Sequence, residues 1–393
     1  MRCIKLNSET KNLYIMYAIS YLQGLVFYGS IATIFRQGRG LSLSQIFILE
    51  SIFTISMIVL EIPWGYFGDK FGYKKTLTLS YFLFFISKIV FYNSNSFIYF
   101  LAEALIGALS ISGISGCDSA LIYLSAGKEE SDKAFSLYAS FSAAGFFTAS
   151  FLSTFMIKVS LDLPVYITIF PYGMAFLLVF FLKDVKPANK ELRIGKSLKT
   201  VLKNKEILIF IVAIALISES THSICIFLNG PKYLEIGVPL KYFGLLTAFM
   251  QIICIGSAKA YRIKDKFGYT LLFKGLIVLI AICSFLLAYV NKIFTTILFI
   301  ALIEGAFAIV KPLSMDIQNK SIEGEDRATI LSMYAMVGNI IASFVNITIG
   351  EASDISLGFS FIFCGILSLT ALILIIRWSK NWREQIDTSR RLQ

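Results

Sequence analysis

Long apolar stretches alternate with short polar connections along nearly the whole chain. A helix needs roughly 20 mostly apolar residues to cross the hydrocarbon layer of a bilayer. Gly, Pro, Asn and Ser mark many of the connections, as at 93–96 and 160–164, where such residues favour turns. The pattern predicts twelve transmembrane helices, at 12–35, 46–68, 76–93, 98–124, 135–158, 164–182, 206–229, 243–261, 271–290, 293–315, 328–350 and 357–378.

The pentapeptide Asp-Lys-Phe-Gly-Tyr occurs at 69–73 and again at 265–269, a separation of 196 residues in a chain of 393. Both copies lie where an apolar segment gives way to a polar turn. A repeat at half the chain length indicates duplication, and many membrane transporters are built from two such halves. We expect two pseudo-symmetric six-helix bundles at 1–182 and 206–378. A basic cytoplasmic linker at 183–205 joins them, and a cytoplasmic tail follows at 379–393.

Composition agrees with a membrane location. The chain is 56% hydrophobic, contains 36 Phe and has a mean hydropathy of +0.74, above the usual range of soluble proteins. We therefore predict an all-α membrane protein. The net charge of +11 is spread over several connections rather than over one face, so we expect no nucleic-acid partner. The six cysteines are scattered without Cys-x-x-Cys spacing, and we expect no metal site, disulfide framework or cofactor.

Lys and Arg predict the orientation, because cytoplasmic connections retain positive charge during insertion. If the amino terminus is cytoplasmic, 26 of the 36 basic residues lie on the cytoplasmic side and six lie on the other side. Both termini are then cytoplasmic, and the protein is expected in the cytoplasmic (inner) membrane. Within the linker, 194–202 has apolar residues at helical spacing. This segment is either an amphipathic helix on the inner membrane surface or a solvated tether.

The connection after the second predicted span carries a Gly, an Asp four residues later, a second Gly and then basic residues. This order resembles the signature loop of the major facilitator superfamily, and the preceding Glu-x-Pro-x-Gly is similar to a bacterial group of exporters. The resemblance implies a secondary transporter that moves a small molecule by alternating access between two six-helix bundles. We expect a monomer. The residues that carry the resemblance are Gly65, Asp69, Gly72, Lys74 and Lys75.

In that family the loop Asp is thought to brace the start of the eleventh span, here near Arg327. The resemblance implies crossed latches, with Asp69 toward the eleventh span and Asp265 toward the fifth. The second copy departs from the pattern, having Tyr261 in place of the first Gly, so its latch is expected to be weaker. An ordinary basic turn is the alternative for both copies. The predicted gating residues are Gly65, Asp69, Lys70, Gly72, Lys74, Lys75, Asp118, Asp265, Gly268, Asp316 and Arg327.

Asp118 and Asp316 lie 198 residues apart, nearly the repeat period, at the predicted cytoplasmic ends of the fourth and tenth spans. We expect inner-gate salt bridges from them to nearby loop lysines. The expected pairs join Asp118 to Lys70 or Lys74, and Asp316 to Lys264 or Lys266, with Glu61 joining the same network.

Polar and ionisable residues inside spans are costly and persist when they are paired or face a cavity. Glu219 and His222, three residues apart, share one helical face, where the carboxylate favours the protonated imidazole. This pair is our preferred site for proton coupling or substrate contact, with a structural hydrogen bond as the alternative. Glu304 and Lys311 lie two turns apart and contact either a charged substrate or other helices. The full set of candidates is Gln23, Glu61, Glu103, Glu219, His222, Asn229, Glu304 and Lys311.

These features favour secondary active transport, with proton-driven efflux expected first. Uptake of a sugar, peptide or other metabolite is the alternative, and a channel is the alternative of a different class. The fifth span lacks the Pro of many drug/proton antiporters, and the fourth has Glu103 where they carry Arg, which weakens an antiporter assignment. We expect no enzyme, because the chain has no His-Glu zinc motif or Gly-x-Ser-x-Gly turn, and no nucleotide-driven pump, because it has no phosphate-binding loop.

Overall fold

The structure, a computed structural model, describes residues 8–184, 204–256, 260–322 and 327–391. Regular structure in these ranges is entirely helical. The predicted amphipathic segment at 194–202 lies outside the described residues. The α-helices are α1 (Ser8–Gly24), α2 (Ala32–Gly38), α3 (Leu43–Phe71), α4 (Tyr73–Asn93), α5 (Phe97–Ile114), α6 (Cys117–Met156), α7 (Asp162–Val179), α8 (Lys205–His222), α9 (Asn229–Glu235), α10 (Phe243–Gly256), α11 (Ala260–Leu287), α12 (Ile293–Lys320), α13 (Arg327–Ile355) and α14 (Leu357–Arg391).

Eleven helical segments of the described chain are long and apolar enough to cross a membrane. A shorter apolar segment, Leu240–Cys254, covers most of the predicted eighth span. These segments match the twelve apolar windows of the sequence and confirm an all-helical membrane protein. Three helices contain an internal proline, Pro63 in α3, Pro171 in α7 and Pro312 in α12. Such prolines remove a backbone donor, which membrane helices tolerate because neighbouring groups re-satisfy the freed carbonyl.

The contacts divide the chain into two units. The first unit comprises Met1–Leu41, Ile52–Lys190 and Pro239–Gln251, and the second comprises Ser42–Ser51, Glu191–Val238 and Ile252–Gln393. These units differ from the predicted bundles in two segments. Residues 42–51 group with the second unit and residues 239–251 with the first.

Helix pairing follows the same order in each unit. In the first unit α1 packs on α6 and α7, and α4 packs on α5 and α7. In the second unit α8 packs on α13 and α14, and α11 packs on α12 and α14. The duplication visible in the sequence is therefore repeated in the packing of the helices.

Small residues allow the closest helix crossings in the first unit. A Cβ atom on Gly145 of α6 would lie 2.2 Å from the carbonyl oxygen of Tyr21 in α1. On the other side of the same crossing, a Cβ on Gly24 would lie 2.3 Å from the carbonyl oxygen of Ser142. Glycine lets two membrane helices approach to backbone contact, where van der Waals packing holds them together.

Candidate functional site

Helix α8 carries the predicted Glu219–His222 pair. The helix begins after Asn204, whose side chain accepts a hydrogen bond from the backbone N–H of Ile207 at 3.3 Å. At its other end the Glu219 Oε1 and His222 Nδ1 atoms lie 3.3 Å apart. Glu219 is only 7% exposed, so its interaction with the imidazole replaces contact with water. The two side chains thus meet on one face of α8, and their expected role in proton coupling or substrate contact stays a prediction.

A π-helix over Ser223–Leu228 follows His222 directly. Its wider turn is closed by Asn229, whose Nδ2 donates to the carbonyl of Cys225 at 2.5 Å and whose Oδ1 accepts from the N–H of Gly230 at 2.6 Å. The amide that we expected to contact substrate is thus engaged with the backbone. Single π-helical turns are frequent at functional sites. Here the π-helical turn contains Phe227, and the rings of His222 and Phe227 pack edge to face with their centroids 5.3 Å apart.

Glu304 of α12 lies beside two cysteines that sequence analysis did not select. The thiol of Cys254 in α10 donates a hydrogen bond to Glu304 Oε1 at 3.2 Å. Cys225 in the π-helix also interacts with the Glu304 carboxylate. The charge of Lys311 also acts on Cys254. Glu304 and Lys311, the two candidates in α12, therefore both influence the thiol of Cys254.

Three carboxylates act electrostatically on the imidazole of His222. Besides Glu219, the charges of Glu50 and Glu304 act on it. All four residues belong to the second unit, and we call them the acid–histidine cluster. Such a cluster can hold a proton or contact a cationic group, because each carboxylate favours positive charge nearby. Among the described residues, no group of three or more His, Cys, Asp or Glu side chains is arranged to hold a metal ion.

Glu50, Cys225 and Cys254 are not among the site residues predicted from the sequence. Glu50 lies inside a predicted span, so its charge was a signal that could have placed it among the candidates. The cysteines gave no such signal, because contacts between helices depend on helix rotation and cannot be derived from spacing along the chain.

The candidates Gln23 and Glu103 lie in the first unit. Glu103 is 8% exposed, and its Oε2 lies 3.9 Å from an Nη2 atom of Arg36. The backbone carbonyl of Gln23 accepts a hydrogen bond from Tyr172 Oη at 3.0 Å. Glu61 lies on an exposed face of α3, and no hydrogen bond or ion pair joins it to another described residue. The expected inclusion of Glu61 in the gate network stays a prediction, because the side chains of Lys264 and Lys266 in that network lie outside the described residues.

The signature loop is almost entirely helical. α3 continues through Phe71 and α4 begins at Tyr73, so only Gly72 has non-helical backbone, with φ of 92° and ψ of 153°. Gly268 in the second copy has a similar conformation, with φ of 72° and ψ of 161°. We expected a polar turn over residues 65–75, and the structure replaces it with a break of one residue. At Gly65 the surroundings are open, because no atom of the described residues would lie within 4 Å of a Cβ atom at this position.

The expected lysine partners of Asp118 are engaged elsewhere. Lys74 Nζ donates to the carbonyl of Phe180 at 2.9 Å, and Lys70 Nζ lies 5.5 Å from the ring centre of Tyr66. Asp118 instead accepts hydrogen bonds from Tyr138 Oη at 3.2 Å and from the N–H of Ser119 at 2.5 Å. The predicted pairing was wrong here because α6 supplies nearer donors. Lys75 lies in the first turn of α4.

Asp316 accepts hydrogen bonds from Lys320 Nζ at 2.9 Å and from Tyr269 Oη. Lys320 lies one turn further along α12, so a local ion pair occupies the carboxylate that we expected to meet loop lysines. The side chains of Lys264, Lys266, Asp265 and Arg327 lie outside the described residues. The crossed latches of Asp69 and Asp265 stay predictions.

Residues 13–346 match the profile of the Major Facilitator Superfamily. The chain is 20% identical over 401 residues to Multidrug resistance protein 2 of Bacillus subtilis (strain 168), with 95% of this chain and 97% of that protein covered.

Several solved transporters share the fold. The nucleoside transporter NupG superposes with a TM-score of 0.78 at 15% identity, covering 94% of this chain and 99% of that one. PepTSo, a POT family transporter, gives 0.76 at 13% identity, with coverage of 95% and 99%. A D-xylose-proton symporter gives 0.70 at 16% identity, with coverage of 93% and 97%. At these identities the likeness shows the fold alone.

Proposed function

Because this chain belongs to the major facilitator superfamily and is a multi-pass membrane transporter, we propose that it exports a small organic solute in exchange for protons. The relative named for multidrug resistance favours efflux over uptake. Proton coupling is favoured by the composition of the acid–histidine cluster. The sequence departs from drug/proton antiporters in its fifth span, so the proposal concerns exchange with protons and not a particular antiporter subtype.

The observation that carries the proposal is the Glu219–His222 contact at 3.3 Å. A buried carboxylate and an imidazole in one span share a proton readily, and ionisable groups within a membrane mark ion and substrate pathways. Glu304 and Glu50 add negative charge near the imidazole. Binding a cationic solute and binding a proton would then compete for the same carboxylates, which couples the two flows.

The distribution of Lys and Arg supports a cytoplasmic-membrane location with both termini inside. We further propose that the protein works as a monomer. In this proposal Asp69 and Asp265 act as gate latches, and the loop glycines Gly72 and Gly268 supply the backbone breaks beside them.

The test uses purified protein in vesicles with an imposed pH gradient and a panel of organic cations, sugars, nucleosides and peptides. Export predicts solute accumulation in inside-out vesicles when their lumen is acid, together with proton release that depends on the solute. Accumulation driven in the opposite orientation would instead identify an importer. Flux that neither saturates nor shows counterflow would contradict a carrier mechanism.

Glu219→Gln is the variant of choice, because it keeps the shape of the side chain and removes its charge. Glu129→Gln is the matched control, since Glu129 is an exposed carboxylate at the start of a span. We expect proton-driven transport to be lost in Glu219→Gln and unchanged in Glu129→Gln. Equal transport by both variants would overturn the assignment.

A further inference from the structure

Two cationic side chains and one carboxylate of low exposure lie in the first unit, on helices α2, α4 and α5. Lys88 in α4 is 7% exposed and Glu103 in α5 is 8% exposed. Arg36 in α2 lies next to Glu103. A buried charge costs several kcal/mol unless an opposite charge and hydrogen bonds compensate it. One carboxylate balances only one of these two cations.

Lys88 receives little compensation from the protein. Its Nζ atom donates to Tyr28 Oη at 3.1 Å and lies 4.7 Å and 5.0 Å from the ring centres of Phe84 and Tyr172. No carboxylate of the described residues lies within 4.0 Å of Nζ. An ammonium group has three N–H donors, and aromatic faces attract a cation without neutralising it.

Arg36 is also short of acceptors. Its guanidinium is 3.9 Å from Glu103 Oε2, beyond hydrogen-bonding distance, and its carbon lies 5.0 Å from the ring centre of Phe91. Among the described residues, neither the buried Nε atom of Arg36 nor the buried Nε2 atom of Gln23 has a hydrogen-bond partner. Both orphaned atoms are donors. Buried donors nearly always have an acceptor in a native structure.

These groups form one electrostatic cluster. Glu103 and Arg36 both act on the phenol of Tyr28, which accepts the hydrogen bond from Lys88. Glu103 and Lys88 both act on Tyr172, whose hydroxyl donates a hydrogen bond to the backbone carbonyl of Gln23 in α1. We call Tyr28, Arg36, Lys88 and Glu103 the cationic cluster. With both basic groups protonated, it has one uncompensated positive charge.

Another buried lysine shows what a fully compensated site looks like in this chain. Lys232 in the second unit is 1% exposed, and its Nζ lies 3.1 Å from Glu235 Oε2 and 3.3 Å from Asn291 Oδ1. A carboxylate and an amide oxygen therefore meet that ammonium. Both lysines are buried, but Lys88 has fewer hydrogen-bond acceptors among the described residues than Lys232 has.

We propose that the cationic cluster binds a small monovalent anion against the ammonium of Lys88. One negative charge makes the cluster neutral, and an acceptor at this position supplies the hydrogen bonds that the protein omits. Because the rings of Tyr28, Phe84 and Tyr172 surround the ammonium of Lys88, the ligand we propose is a compact anion such as a halide and not a bulky carboxylate such as gluconate. This site lies in the first unit and is additional to the acid–histidine cluster of the second.

Thermal unfolding of the full-length protein in neutral detergent tests the proposal. Chloride replaces gluconate at constant ionic strength, so that general screening stays fixed. A ligand that binds only the folded state raises Tm in a saturable way. We expect this rise in the wild type, its loss in Lys88→Met, and its retention in the matched control Lys232→Met. Absence of a chloride effect in the wild type, or an equal effect in Lys88→Met, overturns the proposal.

Glu103→Gln gives a second test that does not depend on the folding of Lys88→Met. Removing the carboxylate leaves both cations uncompensated, so the rise in Tm should saturate at least several-fold lower in chloride. Saturation at the same or a higher concentration overturns the proposal. Adding phosphatidylglycerol in gluconate distinguishes a free anion from a lipid headgroup: a Lys88-dependent rise with lipid but not with chloride assigns the site to the lipid phosphate.

Discussion

Gly72 and Gly268, 196 residues apart, share a backbone conformation that other residues rarely adopt. Their φ values are 92° and 72°, and each interrupts a helix at the same position of the repeated pentapeptide. The sequence repeat thus corresponds to a repeated backbone break. Because side chains with a Cβ atom are strained in this region, the two glycines are required for the break and not only compatible with it.

Alanine at these positions should destabilise the protein unequally. Strained backbone costs about 1–3 kcal/mol at either site. At Gly72 the added Cβ would also lie 3.1 Å from a carboxylate oxygen of Asp184, whereas at Gly268 no atom of the described residues lies within 4 Å. We expect Tm to fall for both variants and to fall further for Gly72→Ala.

Gly275→Ala provides the control for this comparison. Gly275 lies inside α11 in open space, where alanine is a better helix former than glycine by up to about 1 kcal/mol. Its Tm should be unchanged or higher. A loss at Gly275 as large as that at Gly72 would show that the membrane helices, and not the strained break, limit stability.

The sequence alone predicted the helices, the repeat and the Glu219–His222 contact, because each depends on order or on spacing within one helix. It did not predict that Lys74 would bind the carbonyl of Phe180 or that Cys254 would bind Glu304. Those contacts join separate helices, and their formation depends on rotations and crossing points set by packing. The one-residue break at Gly72 was also missed, since polar composition signals a turn and not its length.

Asp354 at the end of α13 caps the beginning of α3 within the second unit. Its carboxylate accepts from the N–H of Ser44 at 3.2 Å, from Ser44 Oγ at 2.5 Å and from Ser42 Oγ at 3.4 Å. A carboxylate at a helix amino terminus meets unpaired backbone donors and the positive end of the helix dipole. We expect Asp354→Ala to lower the free energy of unfolding by about 1–2 kcal/mol, as loss of a helix cap does.

Asp162→Ala is the matched control for Asp354→Ala. Asp162 accepts a single ion-pair contact from Arg39 at 2.7 Å, and its side chain is 54% exposed. Exposed pairs of this kind contribute about 0–1 kcal/mol. Unfolding by denaturant in detergent should therefore separate the variants. Because Asp162 is itself the first residue of α7, equal losses would mean that Asp354 contributes no more than an exposed carboxylate at the start of a helix.

His222→Gln should uncouple transport from the pH gradient while leaving exchange of solute for solute. Glutamine can still hydrogen-bond to Glu219 but cannot bind a proton near neutral pH. We expect gradient-driven uptake into inside-out vesicles to fall at least about tenfold, the effect of roughly 1.4 kcal/mol on an equilibrium. Counterflow at equal pH should remain within a factor of about two, since the solute site keeps its shape and its carboxylates.

Two measurements on His222→Gln decide this prediction. The pH dependence of transport in the wild type should flatten in the variant, because the imidazole that binds and releases the proton has been removed. If gradient-driven transport persists with an unchanged pH profile, the imidazole has only a structural role. If counterflow is lost to the same extent as gradient-driven transport, His222 contacts the solute and does not carry the proton.

The thiol of Cys254 should act on transport through Glu304. It donates to Glu304 Oε1 at 3.2 Å, and such a bond orients the Glu304 carboxylate within the acid–histidine cluster. Cys254→Ala removes the donor, and the loss of about 1 kcal/mol from a hydrogen bond corresponds to roughly fivefold weaker solute binding. Cys254→Ser restores a donor of similar shape, so binding should return toward the wild-type value.

Cys283→Ala controls for the loss of a buried thiol as such. Cys283 is 2% exposed in α11, and its replacement removes packing without changing the donors to Glu304. We expect this variant to lower Tm with solute affinity preserved, whereas Cys254→Ala lowers affinity more than Tm. Solute affinity should be lower in Cys254→Ala than in Cys254→Ser, because a purely steric role of the thiol predicts similar losses for two small side chains. An affinity loss in Cys283→Ala equal to that in Cys254→Ala would remove the thiol from the site.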